Sequence, residues 1–405
     1  MKAVAADLAI CGGQPAFDSQ VVVGRPNVGD PQALWSRLSA ALERRWLSNG
    51  GPLVAELENR ICAELGVRHC VAVCNGTVGL EVALRAAGAT GQVIVPGFSF
   101  VATAHAPRWL GLEPVFADID PDTHNIDPKS VDALITPRTS AVIGVHIWGR
   151  PCDVQGLESV CRRHGVALVF DAAHAFACSH QGRSIGCFGD VSVFSFHATK
   201  FFNSFEGGAI VTDDKALAER ARAMINFGMP PGEGIQMLGT NGKMCEAAGA
   251  MGLTSLDAME GFVTKNHRNY VTYSDELTGV SGLKLVMYDE HEKCNFQYII
   301  VEVDEPQAGL SADDLLRVLA AEHVSGKRYF SPALHQLAPY AEPERGPVPH
   351  LAHAERLARR TLALPTGSGV SEDDVRRVCV ILRASLANAA AVREALDGLM
   401  SVEGR

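Results

Sequence analysis

The chain has 405 residues, of which 47% are hydrophobic and 20% charged, and its formal net charge is −10 at pH 7. A chain of this length and apolar content can bury a large core, so a disordered or fibrous protein is excluded. The negative charge argues against nucleic acid, and against an anionic membrane surface, as the main partner.

Cysteine usage and the N-terminus indicate the compartment. The eleven cysteines are loosely spaced and include no Cys-x-x-Cys pair, so we expect free thiols in a reducing compartment and no metal site. The N-terminus reaches Asp7 before an apolar leader can form, and no later apolar run approaches the roughly 18 residues of a membrane span. These features predict a cytoplasmic protein with no membrane partner.

Residues 1–35 carry several glycines and prolines and little periodicity, which predicts an extended N-terminal arm. A helix is predicted over Pro31–Arg45, where apolar residues recur at a spacing of four, and another over Pro52–Gly66.

From Val71 onward, short apolar runs alternate with helical segments. Strands without polar alternation, separated by helices of roughly ten residues or more, indicate a mostly parallel sheet covered on both faces. This pattern predicts an α/β protein with three α/β/α layers, whose ligands bind beyond the carboxyl ends of the strands. The predicted strands are Val71–Cys74, Val93–Val95, Pro114–Ala117, Ala141–Val145 and Val166–Phe170.

A second, smaller α+β unit is predicted towards the C-terminus. After about residue 213 the composition is mainly helical, Phe296–Glu302 has the pattern of a strand, and helices are predicted near 311–322, 350–361 and 371–397. We place the large domain at residues 36–260 and the small C-terminal domain at residues 261–405.

Three segments that follow predicted strands carry polar groups. Gly76 and Thr77 open a helix, where free N–H groups can bind a phosphate; an ordinary N-cap is the alternative. Asp171 ends a buried strand, where a carboxylate needs a cation or several donors; a structural cap is the alternative. Lys200 follows the strand that contains Ser195, although a lone lysine is usually a solvated surface group.

Together these segments offer a phosphate cradle, an acid and a lysine. Pyridoxal phosphate needs these parts, because its phosphate binds N–H donors, its pyridinium nitrogen pairs with a carboxylate and its aldehyde bonds a lysine. On these motifs the chain resembles the DegT/StrS type of sugar aminotransferase, which has the aspartate-aminotransferase fold, fold type I of pyridoxal phosphate enzymes. The resemblance spans Leu47 to Thr366, and its most specific stretches are Asp171–His174, Ser195–Lys200, Glu206–Gly208 and Gly239–Met244.

The resemblance implies a role for each matching residue. Lys200 is expected to form the Schiff base with pyridoxal 5'-phosphate and to shuttle the proton, with a pKa lowered by desolvation and a nearby cation. Asp171 is expected to pair with the ring nitrogen and to stay ionised, because a cation beside it lowers its pKa. The other implied cofactor residues are Gly76, Thr77 and Ser195 at the phosphate, Phe100 stacked on the ring, His174 near the ring hydroxyl, and Asn241 from a partner subunit.

Substrate contacts are predicted for five further residues: His146, Trp148, His197, Lys327 and Arg328. His146 and Trp148 follow a strand on the expected cleft side, and the basic pair could bind a diphosphate. A packed histidine is the alternative for His197, and a solvent-facing pair is the alternative for Lys327 and Arg328.

The chain departs from the common family pattern at several positions. Asn75 stands where Ser is frequent, Ser48 stands where Thr is usual, and Ala177 and Cys178 stand where glycine is often found. The last departure places larger side chains near the cofactor acid, which bears on the shape of the pocket.

The residue at the Schiff-base position separates two activities. Family members that remove a sugar hydroxyl can carry His there, whereas Lys200 favours transamination. The resemblance implies amine transfer from an amino acid, with glutamate as the expected donor, through the pyridoxamine 5'-phosphate form to a nucleotide-linked keto sugar. The leading substrate is C4 of a dTDP-4-keto-6-deoxy sugar. The alternatives are an aminocyclitol or other cyclic ketone, a sugar dehydratase, or a non-enzymatic regulator. A homodimer with active sites at the interface is expected.

Overall fold

A seven-stranded sheet flanked by helices forms the centre of the protein, in agreement with the predicted α/β class. The computed structural model describes residues 2–341 and 348–403. Within these residues the strands are β1 (Val21–Val22), β2 (His69–Val73), β3 (Gln92–Pro96), β4 (Glu113–Ala117), β5 (Thr139–Val145), β6 (Ala167–Asp171), β7 (Ser179–His180), β8 (Arg183–Ser184), β9 (Val191–Ser195), β10 (Gly208–Thr212), β11 (Leu283–Leu285), β12 (Ile299–Val303), β13 (Val324–Ser325) and β14 (Thr361–Leu364).

The strands of the large sheet lie in the order β2-β10-β9-β6-β5-β3-β4. Strand β10 is antiparallel to both of its neighbours, and the remaining pairs are parallel. The carboxyl ends of the other six strands therefore meet at one edge of the sheet, where ligands bind in proteins of this type. Strands β3 and β5 are almost wholly buried, which explains their continuous apolar runs.

Helices flank this sheet and also make up much of the C-terminal part of the chain. They are α1 (Pro31–Arg44), α2 (Pro52–Leu65), α3 (Gly76–Ala86), α4 (Ala102–Trp109), α5 (Pro128–Leu134), α6 (Val154–His164), α7 (Lys215–Met224), α8 (Glu246–Leu277), α9 (Glu305–Ala308), α10 (Ala312–Ala321), α11 (Ala352–Arg360), α12 (Glu372–Ala387) and α13 (Ala389–Glu403). The two helices predicted near the N-terminus are confirmed as α1 and α2. Among residues 2–341 and 348–403, no helix is long and apolar enough to cross a membrane.

The longest helix, α8, has 32 residues. Its length is not evident from the sequence, because glycine is a poor helix former and α8 contains three of them. Two have a packing reason: a Cβ on Gly249 would lie 3.0 Å from the backbone N of Val54, and one on Gly252 would lie 2.7 Å from Leu57 Cδ2, both in α2. The predicted domain boundary at residue 260 falls inside α8, and the division into domains stays a prediction.

A three-stranded antiparallel sheet, β11-β12-β14, organises the C-terminal part of the chain. The strand predicted over Phe296–Glu302 is observed as β12. The prediction of a single helix over 371–397 is wrong, because the helix is interrupted at Asn388, between α12 and α13. There the backbone has φ −120° and ψ 30°, and the Asn388 side chain donates a hydrogen bond to the carbonyl oxygen of Ala384 at 2.8 Å.

The N-terminal arm is tied to the C-terminal part of the chain. Strand β1 pairs in parallel with β13. The fully buried carboxylate of Glu322 accepts hydrogen bonds from the backbone N–H groups of Ala9 at 2.8 Å and Ala16 at 2.6 Å, and Lys2 Nζ lies 3.0 Å from it. A buried carboxylate needs such donors and a cation, so Glu322 and the arm hold each other in place.

Candidate active site

A cavity of about 610 Å³ opens beyond the carboxyl ends of the strands. It brings together most of the residues that the sequence singles out. Those lining it are Gly76, Thr77, Phe100, Asp171, His174, Ser195, His197, Lys200 and Lys327. His146, Trp148, Asn241 and Arg328 do not line it.

The floor of the cavity includes the first turn of α3. The side chain of the N-cap Asn75 accepts a hydrogen bond from the backbone N of Val78 at 2.9 Å. This cap satisfies one of the N–H groups that lack a partner within the helix, while Gly76 and Thr77 line the cavity ahead of it. The capping role of Asn75 and anion binding by this turn are therefore compatible.

Two glycines allow three backbone segments to meet beneath this turn. A Cβ on Gly76 would lie 3.0 Å from Cβ of Ser195 at the end of β9. A Cβ on Gly208, at the start of β10, would lie 2.6 Å from the carbonyl oxygen of Phe194 and 3.0 Å from the N of Gly76. Real side chains do not approach this closely, so the glycines bring Ser195 next to the start of α3.

Asp171 lies at the end of β6 with only 5% of its surface exposed. Its Oδ2 accepts a hydrogen bond from Thr103 Oγ1 at 2.8 Å, and its Oδ1 accepts one from the backbone N of Ala173 at 3.1 Å. Thr103 in turn shares a hydrogen bond of 2.9 Å with Ser99. These contacts fix the direction of the carboxylate towards the cavity that it lines.

The pKa of Asp171 differs from the sequence-based expectation. Burial raises the pKa of this carboxyl above its usual value, and this effect exceeds the lowering by Thr103, Ala173 and the Lys200 cation. The expectation of a lowered pKa is therefore wrong for the chain by itself, because burial destabilises the carboxylate by more than its hydrogen bonds and the Lys200 cation stabilise it. A further positive charge beside Asp171 would therefore favour its ionised form.

Lys200 lies in the loop between β9 and β10, where it is partly buried and lines the cavity. Its Nζ donates a hydrogen bond to Tyr298 Oη at 3.1 Å. Burial lowers the pKa of the Lys200 amine to about 8, while the Asp171 carboxylate acts in the opposite direction. The direction and its cause, desolvation, agree with the expectation, whereas the expected nearby cation does not contribute to the shift. A large fraction of this amine is neutral near pH 8 and can accept a proton.

His174 is held as a neutral hydrogen-bond donor. Its Nδ1 accepts a hydrogen bond from the backbone N of Trp148 at 3.1 Å, so the ring proton resides on Nε2. Burial and the Lys200 cation hold the pKa of His174 well below its usual value. The Trp148 backbone that presents this N–H has a φ of 54°, in the left-handed region. Trp148 thus acts through His174 and does not contact the cavity itself.

Two predicted substrate residues lie elsewhere in the fold. His146 is fully buried, stacks on Phe170 at 4.4 Å and accepts a hydrogen bond from the N of Cys152 at 3.0 Å; burial lowers its pKa to about 3. The Arg328 guanidinium donates to the carbonyl oxygens of Thr361 at 2.8 Å and Ala358 at 2.7 Å, and it pairs with Asp313. Because both side chains are engaged away from the cavity, we no longer expect them to bind substrate.

The outer part of the cavity is more exposed. His197 Nδ1 lies 2.8 Å from Thr199 Oγ1, and its Nε2 lies 3.5 Å from a carboxylate oxygen of Glu206. The Lys327 ammonium lies 5.6 Å from the centroid of the Tyr329 ring. Phe100 is 54% exposed, which leaves a free aromatic face at the cavity. His197, Lys327 and Phe100 are thus positioned to meet a ligand.

Asn241 lies apart from the cavity of its own subunit. It is exposed, and its backbone forms an isolated antiparallel bridge with Asn226. Its implied role in the site of a partner subunit stays a prediction.

Thr103 and Tyr298 are site residues that sequence reasoning missed. Tyr298 belongs to the predicted strand Phe296–Glu302. A strand pattern does not reveal that the Tyr298 hydroxyl contacts Lys200, 98 positions earlier. Thr103 lies in the first turn of α4, and Ser99, four positions earlier, precedes that helix. That spacing is a weak signal for a group that supports the carboxylate.

Neither Ala177 nor Cys178 lines the cavity. Cys178 is buried and packs beside Gly149, where a Cβ would lie 3.1 Å from its Sγ. Ala177 has a φ of 62°, a conformation that glycine adopts without strain and alanine does not. The family preference for glycine is thus explained at Ala177 by backbone conformation.

Replacing Ala177 with glycine is expected to raise the free energy of unfolding by about 0.5–1 kcal/mol, since relief of the left-handed strain exceeds the added flexibility of the unfolded chain. Denaturant unfolding of purified protein measures the change. The matched control is Ala55→Gly on the exposed face of α2, which is expected to lower stability by about 1 kcal/mol. A loss of stability in the Ala177 variant would contradict the strain argument.

Comparison with known proteins places the chain in one family. The model of the DegT/DnrJ/EryC1/StrS aminotransferase family matches residues 32–383. A dTDP-4-amino-4,6-dideoxy-D-glucose transaminase of Shigella dysenteriae is 36% identical over 369 residues, covering 91% of this chain and 99% of that relative. A protein of the same description from Escherichia coli is 31% identical and covers 90% of this chain and 98% of its own length.

Solved structures agree with this placement. The crystal structure of DesI in the presence of its TDP-sugar product is 51% identical, with a TM-score of 0.91 over 99% of this chain and 100% of the other. The aminotransferase TlmJ from Streptoalloteichus hindustanus is 31% identical, with a TM-score of 0.84 over 91% of this chain and 99% of the other. The resemblance found in the motifs is confirmed, and the chain belongs to the DegT/DnrJ/EryC1/StrS family of aminotransferases.

Proposed function

We propose that this protein transfers the amino group of an amino acid, with glutamate as the expected donor, to C4 of a dTDP-4-keto-6-deoxy sugar. The observation that carries the proposal is the meeting of Lys200, Asp171 and the first turn of α3 in one cavity. Each of the three suits a different part of pyridoxal 5'-phosphate: the aldehyde, the ring nitrogen and the phosphate.

The residues fit this cofactor. Gly76, Thr77 and Ser195 would hold the phosphate, because Gly76 and Gly208 allow Ser195 to lie next to the start of α3 and the helix N-terminus favours an anion. Asp171 would face the ring nitrogen, whose positive charge would favour the ionised form of this buried carboxyl. His174 would donate from Nε2, and the exposed face of Phe100 is free to stack.

Lys200 is the base in the proposed reaction. When bound, pyridoxal phosphate supplies an electron sink for the pair left behind when the Cα–H bond of the donor breaks. The neutral Lys200 amine, whose pKa is about 8, would take the Cα proton of the donor, and the resulting ammonium would return that proton to the former aldehyde carbon of the cofactor. The Asp171 carboxylate would stabilise the positive charge on the ring nitrogen that the electron sink requires.

The substrate assignment rests on the relatives and on the outer cavity. The Shigella dysenteriae relative is described as acting at the 4-amino position of a dTDP-linked dideoxy sugar, and DesI binds a TDP-sugar product. The Lys327 ammonium lines the cavity, where it can pair with a sugar-linked diphosphate. Lysine at position 200 supports transamination over dehydration.

A homodimer is part of this proposal. Helix α1 and the turn after it carry large apolar side chains on the surface: Trp35 is 66% exposed, Leu42 65%, Trp46 48% and Leu47 52%. Monomers rarely expose so many neighbouring apolar groups, which favours burial against a second copy. Asn241 would then be available to the partner's cavity.

The experiment supplies protein loaded with pyridoxal phosphate, 15N-labelled glutamate and a dTDP-4-keto-6-deoxyhexose. The visible absorption of the bound cofactor is expected to fade with glutamate alone and to return on addition of the sugar, and mass spectrometry is expected to find 15N in the sugar product. A GDP-linked sugar run in parallel reports the nucleotide preference. No exchange with any amino donor would overturn the proposal, and sugar dehydration without 15N transfer would replace it with a dehydratase.

A further inference from the structure

Tyr298 is the hydrogen-bond partner of the Lys200 amine. It directly precedes β12, is only 6% exposed and lines the same cavity. The distance from Lys200 Nζ to Tyr298 Oη is 3.1 Å. The residue before β12 thus places its hydroxyl next to Lys200 Nζ, the nitrogen on which the chemistry of the site depends.

The phenol is held rigidly in this position. The backbone N of Tyr298 donates to Tyr288 Oη at 3.1 Å, and Tyr288 Oη donates to the carbonyl oxygen of Tyr298. The Tyr298 ring lies 4.6 Å from the ring of His174 and packs edge-on at 5.4 Å against Tyr329. With backbone and ring both fixed, the hydroxyl cannot swing away when the lysine changes its bonding.

The phenol keeps its proton throughout the working range of the site. Burial and the Asp171 carboxylate raise the pKa of Tyr298 far above its usual value. A neutral phenol can accept a hydrogen bond through its oxygen and donate one through its O–H. It can therefore serve both protonation states of the amine beside it.

We propose that Tyr298 is a further catalytic residue, whose neutral phenol holds the Lys200 amine in place between its two proton transfers. It accepts a hydrogen bond from the ammonium and donates one to the neutral amine, so Nζ stays at the cavity while it is not bonded to the cofactor. The catalytic part of this proposal rests on the proposed function; the hydrogen bond to Lys200 does not.

The other groups that face Lys200 set the expected response. They are the Asp171 carboxylate, which favours the ammonium, the neutral His174 and the phenol of Tyr298. A hydrogen bond to a charged group is stronger than one between two neutral groups. Removing the Tyr298 hydroxyl therefore costs the ammonium more than the amine, and the pKa of Lys200 falls.

The first test uses cofactor-free protein and needs no turnover. Wild type, Tyr298→Phe and Tyr329→Phe are arylated with fluorodinitrobenzene at a series of pH values, and the rate at Lys200 is read by peptide mass spectrometry. We expect the apparent pKa of Lys200 to fall by about one unit in Tyr298→Phe, a tenfold change in its acidity. Tyr329→Phe removes a neighbouring hydroxyl and is expected to leave that pKa unchanged. An unchanged pKa in Tyr298→Phe would overturn the proposal.

The second test measures the loaded enzyme. Each half-reaction of Tyr298→Phe is expected to slow by about tenfold at saturating substrate, with KM little changed, because the phenol contacts the base and not the substrate. Thermal unfolding confirms that the variant is folded. A shifted Lys200 pKa with unaltered half-reaction rates would overturn the catalytic role, whereas a shifted pKa in a protein without any amine transfer would count against the proposed function instead.

Discussion

Replacing Lys200 with alanine is expected to reduce transamination by about 10⁴-fold or more, because the residue supplies both the covalent attachment and the acid–base group of the reaction. Turnover with glutamate and the keto sugar measures the loss. The control is Lys215→Ala, which removes an exposed ammonium from α7 and is expected to keep full activity. A Lys200 variant that retained a tenth of wild-type turnover would assign the proton transfer to another residue.

A small added amine is expected to restore part of this activity. The space left by the Lys200 side chain opens into the cavity, so methylamine can reach the position of Nζ. Only its neutral form accepts a proton, and the rescued rate should therefore rise with pH towards the pKa of the added amine. Rescue of this kind separates the loss of a base from damage to the fold.

Replacing Asp171 with asparagine is expected to lower turnover by about 10³-fold while the protein still binds pyridoxal phosphate. The amide can keep the hydrogen bond from Thr103, but it lacks the negative charge that holds a protonated ring nitrogen. Steady-state rates measure the loss, and the visible absorption of the loaded protein reports retained binding. Wild-type rates in this variant would contradict the assigned pairing.

Thr103→Val is a milder change at the same carboxylate than Asp171→Asn. It removes one hydrogen bond to the carboxylate, which raises the pKa of Asp171 further, because that bond now opposes the effect of burial. Protonated Asp171 is the inactive form, so the acid limb of the rate–pH profile is expected to move to higher pH. Asp171→Asn is expected to abolish that limb rather than shift it.

Sequence reasoning identifies the central sheet and the inner site because both depend on local pattern. Buried parallel strands appear as continuous apolar runs; Asp171 ends one such strand, and Lys200 lies in the loop after another. The order of the chain therefore places both at the same sheet edge. Asn75 is a further local feature, since its capping role depends only on the three residues after it.

The parts that sequence reasoning missed depend on contacts between distant segments. The polar group beside Lys200 comes from Tyr298, and only the packing of the C-terminal sheet brings the two together. Arg328 is a basic residue in an exposed-looking pair, but carbonyl oxygens of later segments engage it. The pKa of Asp171 depends on the balance between burial and hydrogen bonds, which no motif encodes.

The hydrogen bonds that Glu322 accepts from the N-terminal arm affect when that arm can become ordered during synthesis. The backbone groups that Glu322 binds lie 313 and 306 positions earlier, at Ala9 and Ala16. At a synthesis rate of about 5–20 residues per second, the arm leaves the ribosome roughly 15–60 s before its anchor exists. The arm thus gains these contacts only after Glu322 has been made, so local folding of residues 9–16 alone does not order it.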